Sequence, residues 1–505
     1  MKTTQKWKKQ LILVAGWAAI LISILKPFPG QATRLSGRVI EHTLSNGMKI
    51  LILERHQSPT VSLYIRFRVG MVEDKGRGTA HFLEHMLFKG TETIGTTNYQ
   101  EEKKILQFID QTGQKLDNER KKGKCGRKEV IEELEKELQK LQEKASLYVV
   151  KDEMNLLYTA SGAVGFNAST GADLTTYQVN LPSNRIELWA RLESDRLANP
   201  VFREFYSERN VVMEERRQTN ESEPFRKFVE QFLATAYLCH PYRHPIIGWE
   251  SEIQYISKAD MEQFFHTYYV PDNMVIAVVG DVDPEEFMTM VERYFGSIPG
   301  RGSPSIITAE EPAQIGERRI AVHLDSQPQL LVGYHKPTLP TREDYVFDVV
   351  DAILTNGRTS RLYNRLVEKD RLAIQVRTSN GMPGSRFPNL FIFMATPRHP
   401  HTVKEIEQAI NEEIDRLKNE LVSDRELQKV KNQLIGDYIR SLKSNSGLAS
   451  RLSYFESVAG DWKYIDTHLE EIDKITPQEI QETVRKFLIS RNRTVSFIVP
   501  AASSQ

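Results

Sequence analysis

Two stretches of this chain carry the same succession of signals at an offset of about 219 residues, from Ile256 to Ile475. In the first, Ile256-Ser257-Lys258-Ala259-Asp260 leads into a helix through Tyr269, and Asn273 precedes the strand Val275 to Val279. In the second, Ile475-Thr476-Pro477-Gln478-Glu479 leads into a helix through Leu488, and Asn492 precedes the strand Thr494 to Val499. Helix–strand pairs can resemble one another by chance. The economical reading is nonetheless two related α+β domains, because a chain of 505 residues is too long for one compact core. Residues 300–316, rich in Gly, Pro and Ser, read as the linker between domains at 36–299 and 317–500.

The chemistry is concentrated near the start of the first domain. Val39 to Leu53, punctuated by Asn46-Gly47, reads as two strands joined by a tight turn, and Val61 to Val69 as the next strand. Gly76, Gly78 and Thr79 then break the strand pattern ahead of a helix containing His81-Phe82-Leu83-Glu84-His85. Residues four apart share a helix face, so His81 and His85 can present imidazole nitrogens to one zinc ion, with Glu84 on the flank as a general base. With 12 histidines in 505 residues, composition predicts on the order of 0.02 such patterns per chain. The competing explanation is a pair of core histidines satisfied by hydrogen bonds, beside a solvated glutamate.

A hydrolytic zinc site needs a third protein ligand and leaves one position for water. Glu208 and Glu215 lie seven residues apart, two turns along one helical face, and make their segment the leading candidate. Glu215 would bind the metal and Glu208 would orient the site from behind. Acidic residues on a charged helix are otherwise simply solvated.

Residues 98–150 are dense in charge of both signs, with Ile131, Leu134, Leu138 and Leu141 at helical spacing and a break at Gly123 and Gly126. They read as an inserted, solvated helical hairpin, either a surface excursion or a docking element. At the N-terminus, Lys2, Lys6, Lys8 and Lys9 precede an apolar stretch from Leu11 to Leu25, with small residues at Gly30-Gln31-Ala32. That is the layout of a signal peptide over residues 1–32, or of an uncleaved inner-membrane anchor, and it places the mature protein in a periplasm or outside the cell. Lys+Arg and Asp+Glu are equal at 67, so no net field favours nucleic acid, and membrane association is expected only through the N-terminal segment. Cys125 and Cys239 are too few for a disulfide scaffold.

Taken with Gly78 to Thr91, Phe166-Asn167-Ala168-Ser169-Thr170, Glu187 to Leu197, the Glu208 to Glu215 segment and His240 to Trp249, the chain resembles the pitrilysin/insulysin family of inverzincin zinc metallopeptidases, and within it the bacterial processing-peptidase-like members. The resemblance runs over nearly all of residues 36–500. It implies two homologous α/β-sandwich domains of the mitochondrial processing peptidase type, the second inactive. It also implies one Zn2+ per chain on His81, His85 and Glu215, Glu84 as the base and Glu208 as its supporting carboxylate. The strand around Asn167 and Ala168 would pair with an extended peptide, in a chamber that two such chains enclose. Two departures stand out. His85 and Glu215 are about 50 residues further apart than in typical members, a surplus that the charged hairpin supplies. Where other members carry an Arg and, seven residues on, a Tyr that clamp the substrate, this chain has Val367 and Ile374. The resemblance therefore implies a zinc endopeptidase acting with a second chain, a homodimer partner or a clamp-bearing subunit. The alternative is a non-catalytic structural or peptide-binding relative.

Overall fold

The computed structural model describes residues 34–500, so the expected signal segment lies outside the described residues. A short N-terminal unit ends at Val39 and contains one 3-10 turn, Leu35–Gly37, while a second unit begins at Ile40. Among the described residues no helix is long and apolar enough to cross a membrane.

The second unit is built on two sheets. The first contains β1 (Ile40–Thr43), β2 (Lys49–Glu54), β3 (Thr60–Phe67), β4 (Val164–Thr170), β5 (Thr175–Pro182) and β6 (Met274–Gly280), in the order β1-β2-β6-β3-β5-β4. The second contains β7 (Arg318–Leu324), β8 (Leu330–Lys336), β9 (Ala373–Met382), β10 (Asn389–Pro397) and β11 (Arg493–Pro500), in the order β7-β11-β8-β10-β9. Leaving β1 aside, the two orders are the same. In each sheet the last strand in sequence runs parallel to the first, β6 along β2 and β11 along β7, and antiparallel to the next. The fold is thus α+β with an internal repeat.

The repeated signals do the same work twice. Ser257 and Asp260 form a capping box that starts the helix Lys258–Tyr268, and Thr476 and Glu479 form one that starts Pro477–Phe487. Asn273 Nδ2 then donates to the carbonyl that ends its helix, Tyr268 O, at 2.9 Å; Asn492 Nδ2 donates to Phe487 O at 2.9 Å. Each asparagine also reaches the adjoining strand region, at Arg68 O or His335 O. The turn chemistry therefore sets how helix and strand join, and the repeat preserves it.

The helices do not respect the division that the sheets suggest. Helix Pro224–Ala236, from the first half, packs on β7 and β11, placing Phe228 and Phe232 against Leu331, Leu390 and Ile498. Helix Asn445–Ala459, from the second half, packs on β3 and β6. Every residue of β6 is buried because helices cover both faces of its sheet, which explains its unbroken apolar sequence. Polar contacts fix the crossing: Tyr64 Oη lies 2.7 Å from Ser446 Oγ, and Glu456, buried, receives Lys49 at 2.9 Å and Arg68 at 3.1 Å. Removing one member of a buried charge cluster strands the rest, at a cost of about 3 kcal/mol. Glu456→Ala is expected to lower the thermal unfolding midpoint clearly, whereas a neutral swap at an exposed helix position such as Glu132 is not; equal midpoints would show that the crossing does not need this cluster.

Residues 300–316 contain no helix or strand. Glu311 fastens them by accepting from the backbone N–H groups of Leu238, Cys239 and His240 at 2.8–3.1 Å. The charged stretch at 98–150 forms two helices, Tyr99–Arg120 and Lys128–Ser146, joined by a turn at Gly123–Cys125. It leaves and returns at one place, where Thr97 N donates to Tyr148 O and Val150 N donates to Gly95 O. It is less solvated than its composition suggests. Leu106, Ile109, Thr112, Leu116 and Asp117 along one face of the first helix are buried, because that face lies against the rest of the unit. Cys125 and Cys239 are exposed and not joined.

Candidate metal centre

The motif lies on the helix Thr79–Met86. Gly78 precedes it at φ +85°, and a Cβ there would sit 2.3 Å from Ile247 O, so the entry turn admits only glycine. Asp74 holds the helix start from six residues back: its carboxylate accepts from Ala80 N at 2.9 Å and Gly76 N at 2.7 Å. Burial pushes that carboxyl up to about 7 despite the two backbone donors. Phe82, Leu83 and Met86 face the core, which turns His81, Glu84 and His85 the other way.

The second helix is Phe205–Arg216, which packs on the motif helix through the Phe82 and Phe205 rings at 5.0 Å. It brings Glu215 Oε2 to 3.3 Å from His85 Nε2 and Glu215 Oε1 to 3.7 Å from His81 Nε2. One ligand atom from each of His81, His85 and Glu215 lies within 4.8 Å of the others. Zinc–ligand bonds of about 2.0–2.1 Å put tetrahedral ligand atoms about 3.3–3.4 Å apart. Two nitrogens and a carboxylate at these separations fit a zinc ion, which His81, His85 and Glu215 would hold.

The electrostatics point the same way. Burial opposes charge on His85, yet the hydrogen bonds and charges of Glu208 and Glu215 raise its pKa to about 9, so the position favours positive charge. Desolvation of its half-buried ring and the neighbouring His85 hold His81 down at about 4, which keeps it neutral at neutral pH. Glu215 is lowered, chiefly by its hydrogen bond with His85. Glu208 lies behind the ligands: its Oε1 is 2.9 Å from His85 Nδ1 and its Oε2 is 2.6 Å from Lys89 Nζ. Burial would raise the Glu208 pKa, but His85 and Lys89 bring it to about 2. A Glu208 carboxylate that accepts from Nδ1–H leaves the Nε2 lone pair of His85 free to bind metal.

Glu84 is placed differently. Its Oε2 accepts from Thr170 Oγ1 at 2.5 Å. Burial raises its pKa, in the direction a general base near neutral pH requires. Thr170 ends β4, the last strand of its sheet, whose outer edge pairs with no strand among the described residues. Asn167 and Ala168 lie on β4 opposite Gln178 and Tyr177 of β5, Asn167 exposed and Ala168 buried. A cavity of about 640 Å³ opens beside His81, Thr170 and Glu215, with Phe225, Val229 and Ile246 among its apolar walls and Met382 reaching in from the second half. Val367 is half-buried and Ile374 exposed, the latter on β9.

The roles of Thr170 and Asp74 were not visible in the sequence. Thr170 stands 86 positions from the glutamate it contacts. Asp74 caps its helix across an irregular loop, outside the spacing that marks a helix start.

Comparison with known proteins agrees with this architecture. Residues 49–122 match the family described as Insulinase (Peptidase family M16), and residues 255–434 match the Peptidase M16 inactive domain. The chain is 28% identical over 470 residues to zinc protease PqqE of Helicobacter pylori, covering 91% of this chain and 92% of that protein. Its fold matches the crystal structure of a protease from Helicobacter pylori with a TM-score of 0.76 and 23% identity, over 92% of this chain and 99% of the other. It also matches the first half of the periplasmic protease PqqL from Escherichia coli, with a TM-score of 0.67, 17% identity and 92% coverage of each chain. With both halves matched, and the repeat and site geometry in place, the chain belongs to the M16 peptidase family of pitrilysin and insulinase.

Proposed function

We propose that this chain is a zinc-dependent endopeptidase that cleaves peptides or unfolded polypeptides held in extended form. The observation that carries the reading is the convergence of His81, His85 and Glu215 within 4.8 Å, with a half-buried Glu84, its pKa raised, on the helix that carries the two histidines. A zinc ion held by His81, His85 and Glu215 would supply Lewis acidity toward water and the scissile carbonyl. Glu84 takes the proton of the attacking water and passes it to the leaving amine, oriented meanwhile by the Thr170 hydroxyl. Glu208 fixes the tautomer and direction of His85, and Lys89 balances its charge. The free edge of β4 at Asn167 and Ala168 offers main-chain hydrogen bonds to an added strand, which selects unstructured substrates. The 640 Å³ cavity accepts a side chain next to the reacting bond.

The domain division at 36–299 and 317–500 belongs to the same reading, with the second domain buttressing the first and holding no metal site of its own among the described residues. With Val367 and Ile374 where a clamp is expected, a second family chain supplies substrate contacts and closes the chamber. Export rests on the basic and apolar segment at residues 2–25, and the name of the periplasmic Escherichia coli relative is in keeping with it.

The purified chain is expected to contain about one zinc and to cleave a quenched, unstructured peptide. A chelator should abolish cleavage, and added zinc should restore it. Cleavage that persists after the metal has been removed would rule out the metallopeptidase reading. The mass of the native assembly and the identity of its co-purifying chains test the partner; a fully active monomer would rule that part out.

A further inference from the structure

The hairpin at 98–150 is clasped to the helix that carries Glu208 and Glu215. Arg209, next to Glu208, is buried with its guanidinium laid against Asp117 of the hairpin in two parallel hydrogen bonds, Nη1 to Oδ2 at 2.9 Å and Nη2 to Oδ1 at 2.8 Å. Its Nη1 also donates to Ile256 O at 3.0 Å. One turn earlier, the Tyr206 ring lies on Gly113 of the hairpin, where a Cβ would fall 2.0 Å from Cζ. Arg203, just ahead of the same helix, is 1% exposed and bonds Glu102 of the hairpin, 0% exposed, at 2.9 Å. Arg203 further donates to the carbonyls of Lys89, Thr91 and Ile94, in the segment that follows the motif helix.

We infer that the hairpin is a positioning device for the metal centre: Asp117 and Glu102, through Arg209 and Arg203, set the rotation and height of the helix that presents Glu208 and Glu215. A bidentate carboxylate–guanidinium pair fixes direction as well as distance. Arg209 follows Glu208 immediately on the helix, so a small rotation that loosens Arg209 also moves Glu208 off His85 Nδ1 and Glu215 off both Nε2 atoms. A solvated excursion needs neither a glycine socket nor two buried ion pairs, since each buried charge is retained only at a desolvation cost. The inference rests on the metallopeptidase reading for its outcome, though the clasp itself is independent of it.

The test compares Asp117→Asn in the full chain with the wild type in three measurements: zinc dissociation constant by chelator competition, visible spectrum of the Co2+-substituted protein, and thermal midpoint. The expected result is zinc bound about 10–100-fold more weakly, the loss typical of disturbed outer partners of a metal site, with altered cobalt bands. Should Asp117→Asn fail to fold, the paired change Asp117→Leu with Arg209→Met removes both charges while keeping the volume filled, and decides instead. It is expected to remain folded, with a thermal midpoint lowered only by the loss of the Arg209 bond to Ile256 O, and to bind zinc at least about 10-fold more weakly. A folded variant with wild-type zinc affinity and cobalt spectrum would overturn the inference. A wild-type chain that binds no zinc at all would instead overturn the proposed function, so the two failures are separable.

Discussion

Glu84→Gln is expected to retain zinc and to lose about 10²–10⁴-fold in peptide cleavage, the range that a positioned general base contributes. The amide has the size and shape of the carboxylate, and its carbonyl oxygen can still accept from Thr170 Oγ1, so the helix and the ligand set are undisturbed. What it lacks is basicity. Glu84 is not among the three groups whose ligand atoms converge, so metal content should match the wild type by elemental analysis. The measurement is kcat for a quenched peptide alongside metal stoichiometry. Undiminished turnover would remove Glu84 from the role of base, and a parallel loss of zinc would mean that it is a ligand instead.

Glu215→Ala should fail in the opposite way, losing the metal while keeping the fold. Its side chain is 35% exposed, so truncation opens no core cavity, and His85 keeps its bond to Glu208. Two imidazoles alone do not close a hydrolytic zinc site. Zinc affinity should therefore fall by more than the roughly 10–100-fold expected of Glu208→Gln, which only loosens the orientation of His85. Dialysis against graded chelator concentrations separates the two variants. Equal retention of zinc by Glu215→Ala and the wild type would place the third ligand elsewhere.

Set side by side, these two variants mark where sequence spacing was informative. The i, i+4 spacing of His81 and His85 and the seven-residue spacing of Glu208 and Glu215 are properties of a helix, so each pair shares a face whatever the helix packs against. The offset between Ile256 and Ile475 likewise carries into two sheets with the same strand order, because the capping residues and asparagines that join helix to strand act locally. The charge-dense hairpin was legible as two helices from its leucine spacing. Its docked face was not, because Asp117 and Glu102 read as solvent charges until Arg209 and Arg203 are brought to them.

Local order was therefore written in the sequence: the first strands, the motif helix and its face, the hairpin helices, the repeat, and the residue types at the candidate metal centre. Tertiary structure alone decided which faces meet. It set Thr170 against Glu84, exchanged the helices Pro224–Ala236 and Asn445–Ala459 between the two sheets, and turned the hairpin into a prop for the glutamate helix. The reason is physical. Periodicity and capping act over a few residues and leave a signature in the chain, whereas burial is non-directional and any apolar face can cover any other. The particular partner is selected only when packing and paired polar groups are satisfied together across the whole molecule.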